Sequence, residues 1–304
     1  MHFTELINLA AERLGGRVLQ ANDEFFGPKE SLILSGKPTF IEGKYTSCGR
    51  LLDGWQTRRR RTPGHDWCVV QLGLPGIVRG VLVDTAFFRG NYPEACSLEG
   101  SSNGSDWTEI LPQHPLQEDA QNEFPVEAEQ RITHVRFNIF PDGGVARLRV
   151  FGDVIPDWAK LGKEIDLAAV EHGGVTIAAS GEYVGAARNL LLPGRPVNLG
   201  DGWETKRRRG FGHDWVIVRL GAPGAVRRVE IDTSHFFGNF PETASLEASV
   251  HGDEPWITLI PPVKLQAHTQ HLFKIGEYEP VSHVRLNIFP DGGVARLRVW
   301  GVWK

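Results

Sequence analysis

The chain has 304 residues, 41 % of them hydrophobic and 10 % aromatic, an ordinary globular composition that excludes a disordered protein. Its net charge of −4 argues against a general polyanion binder, so no nucleic-acid partner is expected. The apolar runs fall short of the roughly 18 residues a membrane span needs, and the opening MHFTELINLAAERLGG lacks the regions of a secretory leader, so neither a membrane partner nor export is expected.

The first element in chain order is LINLAAERL, residues 6–14, whose apolar spacing fits a short helix. DGWQTRRRRTPGHDW, Asp53 to Trp67, follows. Its basic run sits among Asp53, Trp55, Thr57 and glycines, which suits an ordered positive loop beside a small anion. GHDW then puts His65 and Asp66 at the mouth of a strand, where neighbouring side chains point to opposite faces. One of the two can enter a pocket while the other caps a turn. WCVVQLG and GVLVD read as strands. In DTAFFRGNYPEACSLE, Asp84 to Glu99, Asn91 belongs to a Gly-Asn turn. Glu94 has no turn role, and it becomes a general acid/base candidate if burial raises its pKa.

HVRFNIF, from His134, alternates: Val135, Phe137 and Ile139 face one way, His134, Arg136 and Asn138 the other. PDGG, Pro141 to Gly144, is a hairpin signal, Pro presetting φ and Asp-Gly supplying positive φ. In ARLRV, Leu148 and Val150 alternate with Arg147 and Arg149. A solvated strand face would tolerate Lys or Thr there. A guanidinium fork gripping a carboxylate would not, so one Arg is expected to contact an anion and the other to form a buried structural ion pair.

The whole series then returns. HVRFNIFPDGGVARLR, His134 to Arg149, recurs from His283 to Arg298 with only Phe137 changed, to Leu286. DGWETKRRRGFGHDW, Asp201 to Trp215, and DTSHFFGNFPETASLE, Asp232 to Glu247, repeat the other blocks. The candidates therefore come in pairs: His65/His213, Asn91/Asn239, Glu94/Glu242, Asn138/Asn287, Asp142/Asp291, Arg147/Arg296 and Arg149/Arg298. The first copy carries about ten extra residues around Thr39 to Leu52, and GDVIPDWAKL (residues 152–161) forms the join. A repeat this long means two domains, residues 1–155 and 156–304, rather than a solenoid. Period-two runs closed by turn residues make the chain all-β, two tandem homologous jelly-roll β-sandwiches with a few short helices. Function should gather in the loops at the sandwich ends.

The three cysteines, Cys48, Cys68 and Cys96, all lie in the first copy, with Val216 and Ala244 at positions matching the last two. That is no disulfide framework, and a reducing, cytoplasmic setting is expected. No GxSxG, Walker A or strand-borne GxGxxG occurs. A metal site of His, Asp and Glu stays open, with no HxH or HExxH spacing behind it.

Together the doubled DGWxTxRRRxxGHDW, DTxxFxGNxPExxSLE and NIFPDGGVARLRVxG resemble the allantoicase family over nearly the whole chain. The resemblance implies two jelly-roll domains similar to galactose-binding sandwiches. It also implies hydrolysis of allantoate to ureidoglycolate and urea in purine breakdown, with a divalent metal such as Mn²⁺ as an open cofactor question and a homo-oligomeric assembly expected. Allantoate carries a carboxylate and two ureido groups on one carbon. Arg147, Arg149, Arg296 and Arg298, or the basic loop, would clamp the carboxylate, and Asn138, Asn287, Asn91 and Asn239 with backbone amides would read the ureido groups. Glu94, Glu242, His65, His213, Asp142 and Asp291 would share proton donation to urea and activation of water. The second copy has Glu204 for Gln56, His235 for Phe87 and Phe237 for Arg89. Two alternatives fit the residues: a non-catalytic tandem ligand-binding module, and a hydrolase of a related ureide or guanidino compound.

Overall fold

The computed structural model describes residues 2–304 apart from 41, 47, 48 and 51, so Cys48 and part of the first copy's extra segment lie outside the described residues. The chain divides into two compact units, Met1–Pro156 and Asp157–Lys304. The long strands of the first are β1 (Arg17–Ala21), β2 (Asp66–Asp84), β3 (Ala95–Ser101), β4 (Thr108–Pro115), β5 (Gln121–Pro125), β6 (Ile132–Phe140) and β7 (Arg147–Val154). Those of the second are β8 (Val175–Ala179), β9 (Asp214–Asp232), β10 (Thr243–Ser249), β11 (Ile257–Lys264), β12 (Gln270–Lys274), β13 (Val281–Phe289) and β14 (Arg296–Trp303).

WCVVQLG and GVLVD belong to one 19-residue strand, β2, not to two. It bends at GLPG, residues 73–76. A Cβ on Gly73 would lie 2.5 Å from the Leu14 carbonyl oxygen, and one on Gly76 2.2 Å from that of Asp153, so other backbones press against the bend. Its first half pairs with β1 and β6, its second with β5 and β7. One sheet therefore runs β1–β2–β6–β3–β4. The other runs β5–β2–β7 and ends on the short strand Ile7–Asn8. All pairings are antiparallel, and the second unit repeats them through β9. This is the expected all-β, jelly-roll sandwich architecture.

Val135, Phe137 and Ile139 of β6 are buried, with Val81 and Val83 of β2 and Leu148 and Val150 of β7. Burial of one such side chain stabilises by about 1.5–3 kcal/mol. Trp55 packs 6.3 Å from the Phe137 ring and donates its indole N–H to the Asp23 carbonyl at 2.8 Å. Cys68 and Cys96 are buried free thiols, and burial pushes the Cys96 thiol up to about 12.

Two local expectations are corrected. LINLAAERL is not an α-helix. Ile7–Asn8 pairs with β7 and only Glu12–Leu14 forms a 3-10 turn. The Leu9 N–H bonds to Val150 O at 2.7 Å and its carbonyl accepts from Gly73 N at 2.8 Å, so tertiary pairing outcompetes a segment too short to sustain a helix alone. EIDLAAVEH likewise yields the strand Glu164–Asp166 and the 3-10 turn Val170–His172.

PDGG is not a tight hairpin either. It carries the chain from β6 to β7, strands of different sheets, and Gly144–Val145 pairs with Trp55–Gln56. Gly143 has φ of +141°, and a Cβ on Gly144 would fall 2.0 Å from the Phe88 ring. Backbone conformation and close approach explain both glycines.

Candidate active site

The arginines of the ARLRV strand hold loops. Arg147, 3 % exposed, donates to Asp53 Oδ2 at 2.8 Å, to Asp53 O at 3.0 Å and to Gly36 O at 3.1 Å. Burial works to raise the Asp53 carboxyl, but Arg147 and the Thr39 donors outweigh it and hold it below its ordinary value. Arg296 repeats the pair with Asp201 Oδ2 at 2.8 Å. The buried structural ion pair is thus Arg147 and its twin. The other arginine chiefly holds carbonyls: Arg149 donates to Leu32, Leu34 and Gly36, and Arg298 to Leu192 and Gly194, with Arg298 Nε also 3.7 Å from Asp166 Oδ2. These carbonyls end the 3-10 turns Lys29–Ile33 and Ala187–Leu191, which leave acceptors without intrahelical donors.

Other candidates also act through the backbone. Glu94 N donates to Phe140 O at 2.9 Å and its carbonyl accepts from Leu116 N at 3.0 Å, while its side chain is exposed; Glu242 behaves the same way. The burial that an acid/base role needs is missing, and nothing in the structure explains why both copies keep glutamate there. Asp142 accepts the Arg60 backbone N–H at 2.9 Å and Asp291 that of Arg208 at 2.7 Å, tying the basic loop to the PDGG crossover. The Asn91 carbonyl accepts from Gly144 N at 2.8 Å, and Asn239 does so from Gly293, its side chain also donating to Glu204 at 2.7 Å. Asn91 lines a separate hollow of about 460 Å³ with Gln56, Phe87 and Arg89.

His65/His213 and Asn138/Asn287 do come together, where the loop before β2 or β9 meets the face of the β6 or β13 sheet at that strand's end. Alternation turns Arg136 and Asn138 of β6 away from the core. The register sets Arg136 opposite Glu99 and Asn138 opposite Ser97 on β3, with Trp67 of β2 on the other side of Asn138. These residues, with Arg60, His65, Glu109 and Phe140, line an open cleft of about 600 Å³. Arg136 grips Glu99 with a two-point hydrogen bond, Nε and Nη2 each at 2.5 Å, and lies 5.0 Å over the Trp107 ring. Asn138 Nδ2 donates to Ser97 Oγ and Glu99 Oε2, both at 3.1 Å. His65 packs its ring 4.8 Å from Phe140. Asp66 points the other way, buried, and accepts from Arg60 at 2.6 Å and Asn22 at 2.8 Å. The His-Asp pair has divided: His65, just before β2 begins, lines the cleft, and Asp66, the first residue of β2, anchors the loop.

The second unit rebuilds this cleft at about 400 Å³ from His213, Trp215, Ser245, Glu247, Arg285, Asn287 and Phe289. Arg285 meets Glu247 at 2.8 Å and stacks 4.5 Å over Trp256. Asn287 Nδ2 reaches Glu247 at 2.8 Å and Ser245 at 3.2 Å.

Arg136, with Asn138 and nearby His65, holds the Glu99 carboxyl below its ordinary value against the effect of burial. At Glu247 burial is the largest influence and works upward, but Arg285 and Asn287 outweigh it. Both carboxylates therefore stay ionised near neutrality. The sign for stability follows. A depressed folded pKa stabilises fully above pH 4.5, the ordinary value for Glu99, and the contribution is lost as pH falls through the folded value. The stability gap between the wild type and Glu99→Gln should narrow on acidification, read by urea denaturation. A gap constant from neutral to strongly acid pH would contradict it.

Sequence reasoning missed Glu99/Glu247, and Arg60/Arg208 of the basic loop, expected beside an anion, instead bond to the buried Asp66 and Asp214. Glu99 closes a doubled block and faces Arg136 across one ladder, but strand pairing is invisible in one dimension. Among the described residues no group of three or more His, Cys, Asp or Glu could hold a metal ion, and Glu99 is already engaged by Arg136, so the cleft as built does not fit a divalent ion. No helix among them is long and apolar enough to cross a membrane.

Fold and clefts together define a tandem jelly-roll protein with one polar cleft repeated in each unit. The chain matches the allantoicase repeat family twice, over residues 7–155 and 165–304. It is 47 % identical to a probable allantoicase 1 of Burkholderia mallei over 97 % of this chain and 94 % of that one, and 45 % identical to a probable allantoicase of Pseudomonas aeruginosa over 98 % and 96 %. The solved allantoicase of Saccharomyces cerevisiae superposes with a TM-score of 0.84 at 34 % identity, covering 97 % of this chain and 92 % of that one. The chain belongs to the allantoicase family.

Proposed function

We propose that each sheet-face cleft binds allantoate and hydrolyses it to ureidoglycolate and urea, the hydrolase activity that family membership carries into purine breakdown. The observation behind the assignment is the repetition of one polar constellation, His65/His213, Glu99/Glu247, Arg136/Arg285 and Asn138/Asn287, around an open cleft in each unit. Arg136, pre-oriented by Glu99 and Trp107, presents its outer edge to the substrate carboxylate. Asn138 Oδ1 and the Glu99 carboxylate accept ureido N–H groups. His65, on the open rim, donates a proton to the departing urea nitrogen and takes one from the attacking water. Urea leaves first, the lone pair of the remaining ureido nitrogen forming a C=N bond as the carbon–nitrogen bond breaks. The imidazole, now neutral, then takes its proton from water as the water oxygen adds to that carbon. We place the activity in the cytoplasm and in a homo-oligomer.

The test compares two pairs of carboxylates. Urea release from allantoate should survive Glu94→Gln with Glu242→Gln within about twofold, since both side chains are exposed and surface changes are usually mild. Glu99→Gln with Glu247→Gln should reduce it by about 10- to 100-fold, the cost of one or two charge-assisted contacts at roughly 1.4 kcal/mol per decade. The opposite ranking would refute the cleft assignment.

A further inference from the structure

The two clefts differ at one position that bears charge. On the β3–β4 ladder Glu99 stands opposite Glu109, whereas on the β10–β11 ladder Glu247 stands opposite Thr258. Glu109 lines the first cleft and Thr258 the second. Glu109 is exposed and has no partner among the described residues, and it faces a like charge, an arrangement that destabilises a bare ladder. A second difference lies deeper. Asn287 Oδ1 lies 3.3 Å from His213 Nε2, within hydrogen-bonding reach. Asn138 Oδ1 is buried, lines the first cleft, and has no donor among the described residues. A buried acceptor left without a donor costs about 1–3 kcal/mol unless something fills it. The first cleft therefore presents more unmatched oxygen acceptors than the second, and one more negative charge.

Resting on the reading of the clefts as substrate sites, we propose that the first unit's cleft also takes guanidino carboxylic acids and that Glu109 determines this preference. A guanidino group replaces the ureido oxygen by a protonated nitrogen, so it brings a cation to Glu109 and extra N–H donors to the unmatched acceptors. Its planar fork suits two-point bonding to the Glu109 carboxylate, with a remaining N–H directed to Asn138 Oδ1. The acid's carboxylate meets Arg136, as the carboxylate of allantoate does. The second cleft, with Thr258 and a satisfied Asn287, favours the neutral ureido acid.

The experiment uses the full chain. His213→Ala leaves the first cleft working and His65→Ala leaves the second, and guanidinoacetate is added as a competitor of allantoate turnover. Its inhibition constant should be about fivefold lower in His213→Ala than in His65→Ala, the upper effect of one exposed ion pair. Adding Glu109→Thr to the first should remove the advantage, and adding Thr258→Glu to the second should create it. Ureidoacetate, whose ureido group carries no charge, should show no gain from Glu109. Equal constants in the two backgrounds, or no response to Glu109→Thr, would overturn the proposal. Should both histidine variants retain full turnover, the reading of the clefts as catalytic is what fails. Calorimetric binding of guanidinoacetate to the wild type and Glu109→Thr then still decides the ligand: weaker binding by the variant supports it, unchanged binding refutes it.

Discussion

Replacing both His65 and His213 by alanine should lower allantoate turnover by about 10²- to 10⁴-fold, the range a positioned general acid or base supplies. Each single replacement should leave roughly half of the activity if the two clefts work independently, since distant sites without shared partners act additively. The effect should fall mainly on kcat, because the carboxylate contact belongs to Arg136 and Arg285 and not to the imidazoles. Stability should change little, the ring of His65 lying exposed against Phe140. Steady-state kinetics on the two singles and the double decide the matter. A double variant with wild-type turnover would remove the histidines from the mechanism. A single variant that abolishes activity would mean that only one cleft is catalytic.

Replacing Arg296 by methionine should destabilise the second unit by about 3–5 kcal/mol, the cost of leaving one member of a buried ion pair alone. Arg296 and Asp201 side chains are 0 % and 4 % exposed, whereas in the first unit Asp53 is 25 % exposed beside Arg147 at 3 %. Water can therefore reach Asp53 when its partner is removed, and Arg147→Met should cost clearly less than Arg296→Met. The two units need not unfold together, so the shift is best followed by calorimetry with the transitions resolved. Combining Arg296→Met with Asp201→Asn should recover part of the loss, because the stranded charge is gone. Equal shifts for Arg147→Met and Arg296→Met would show that solvent access does not set the cost. This pair also accounts for much of the identity between the copies: the guanidinium clamps its loop through both the carboxylate and the main-chain carbonyl of Asp201, which lysine could not match.

Several features of this protein were legible from one sequence. The repeat announces two homologous halves, and period two along HVRFNIF assigns Val135, Phe137 and Ile139 to the core, as found. GHDW places His65 and Asp66 at a strand mouth, and alternation along HVRFNIF turns Arg136 and Asn138 outward together. The missing information concerned partners distant in sequence. PDGG looks the same whether it closes a hairpin or crosses between sheets, because its turn chemistry is local. Glu94 looked functional for want of a visible backbone role, yet its N–H and carbonyl tie the Phe140 and Leu116 segments together. Arg147 and Arg149 looked like anion ligands, and their acceptors turned out to be Asp53 and carbonyls more than ninety residues away.

The sequence by itself determined the twofold repeat, the all-β class, the family and the set of polar residues shared by both copies. These rest on periodicity and repetition, which are properties of order along the chain. Only the tertiary structure decided which of those polar residues share a cleft. The Arg136–Glu99 and Arg285–Glu247 pairs exist because antiparallel register brings β6 beside β3 and β13 beside β10. Register is set by core packing across the whole sandwich, and a one-residue slip would turn every one of these side chains to the opposite face.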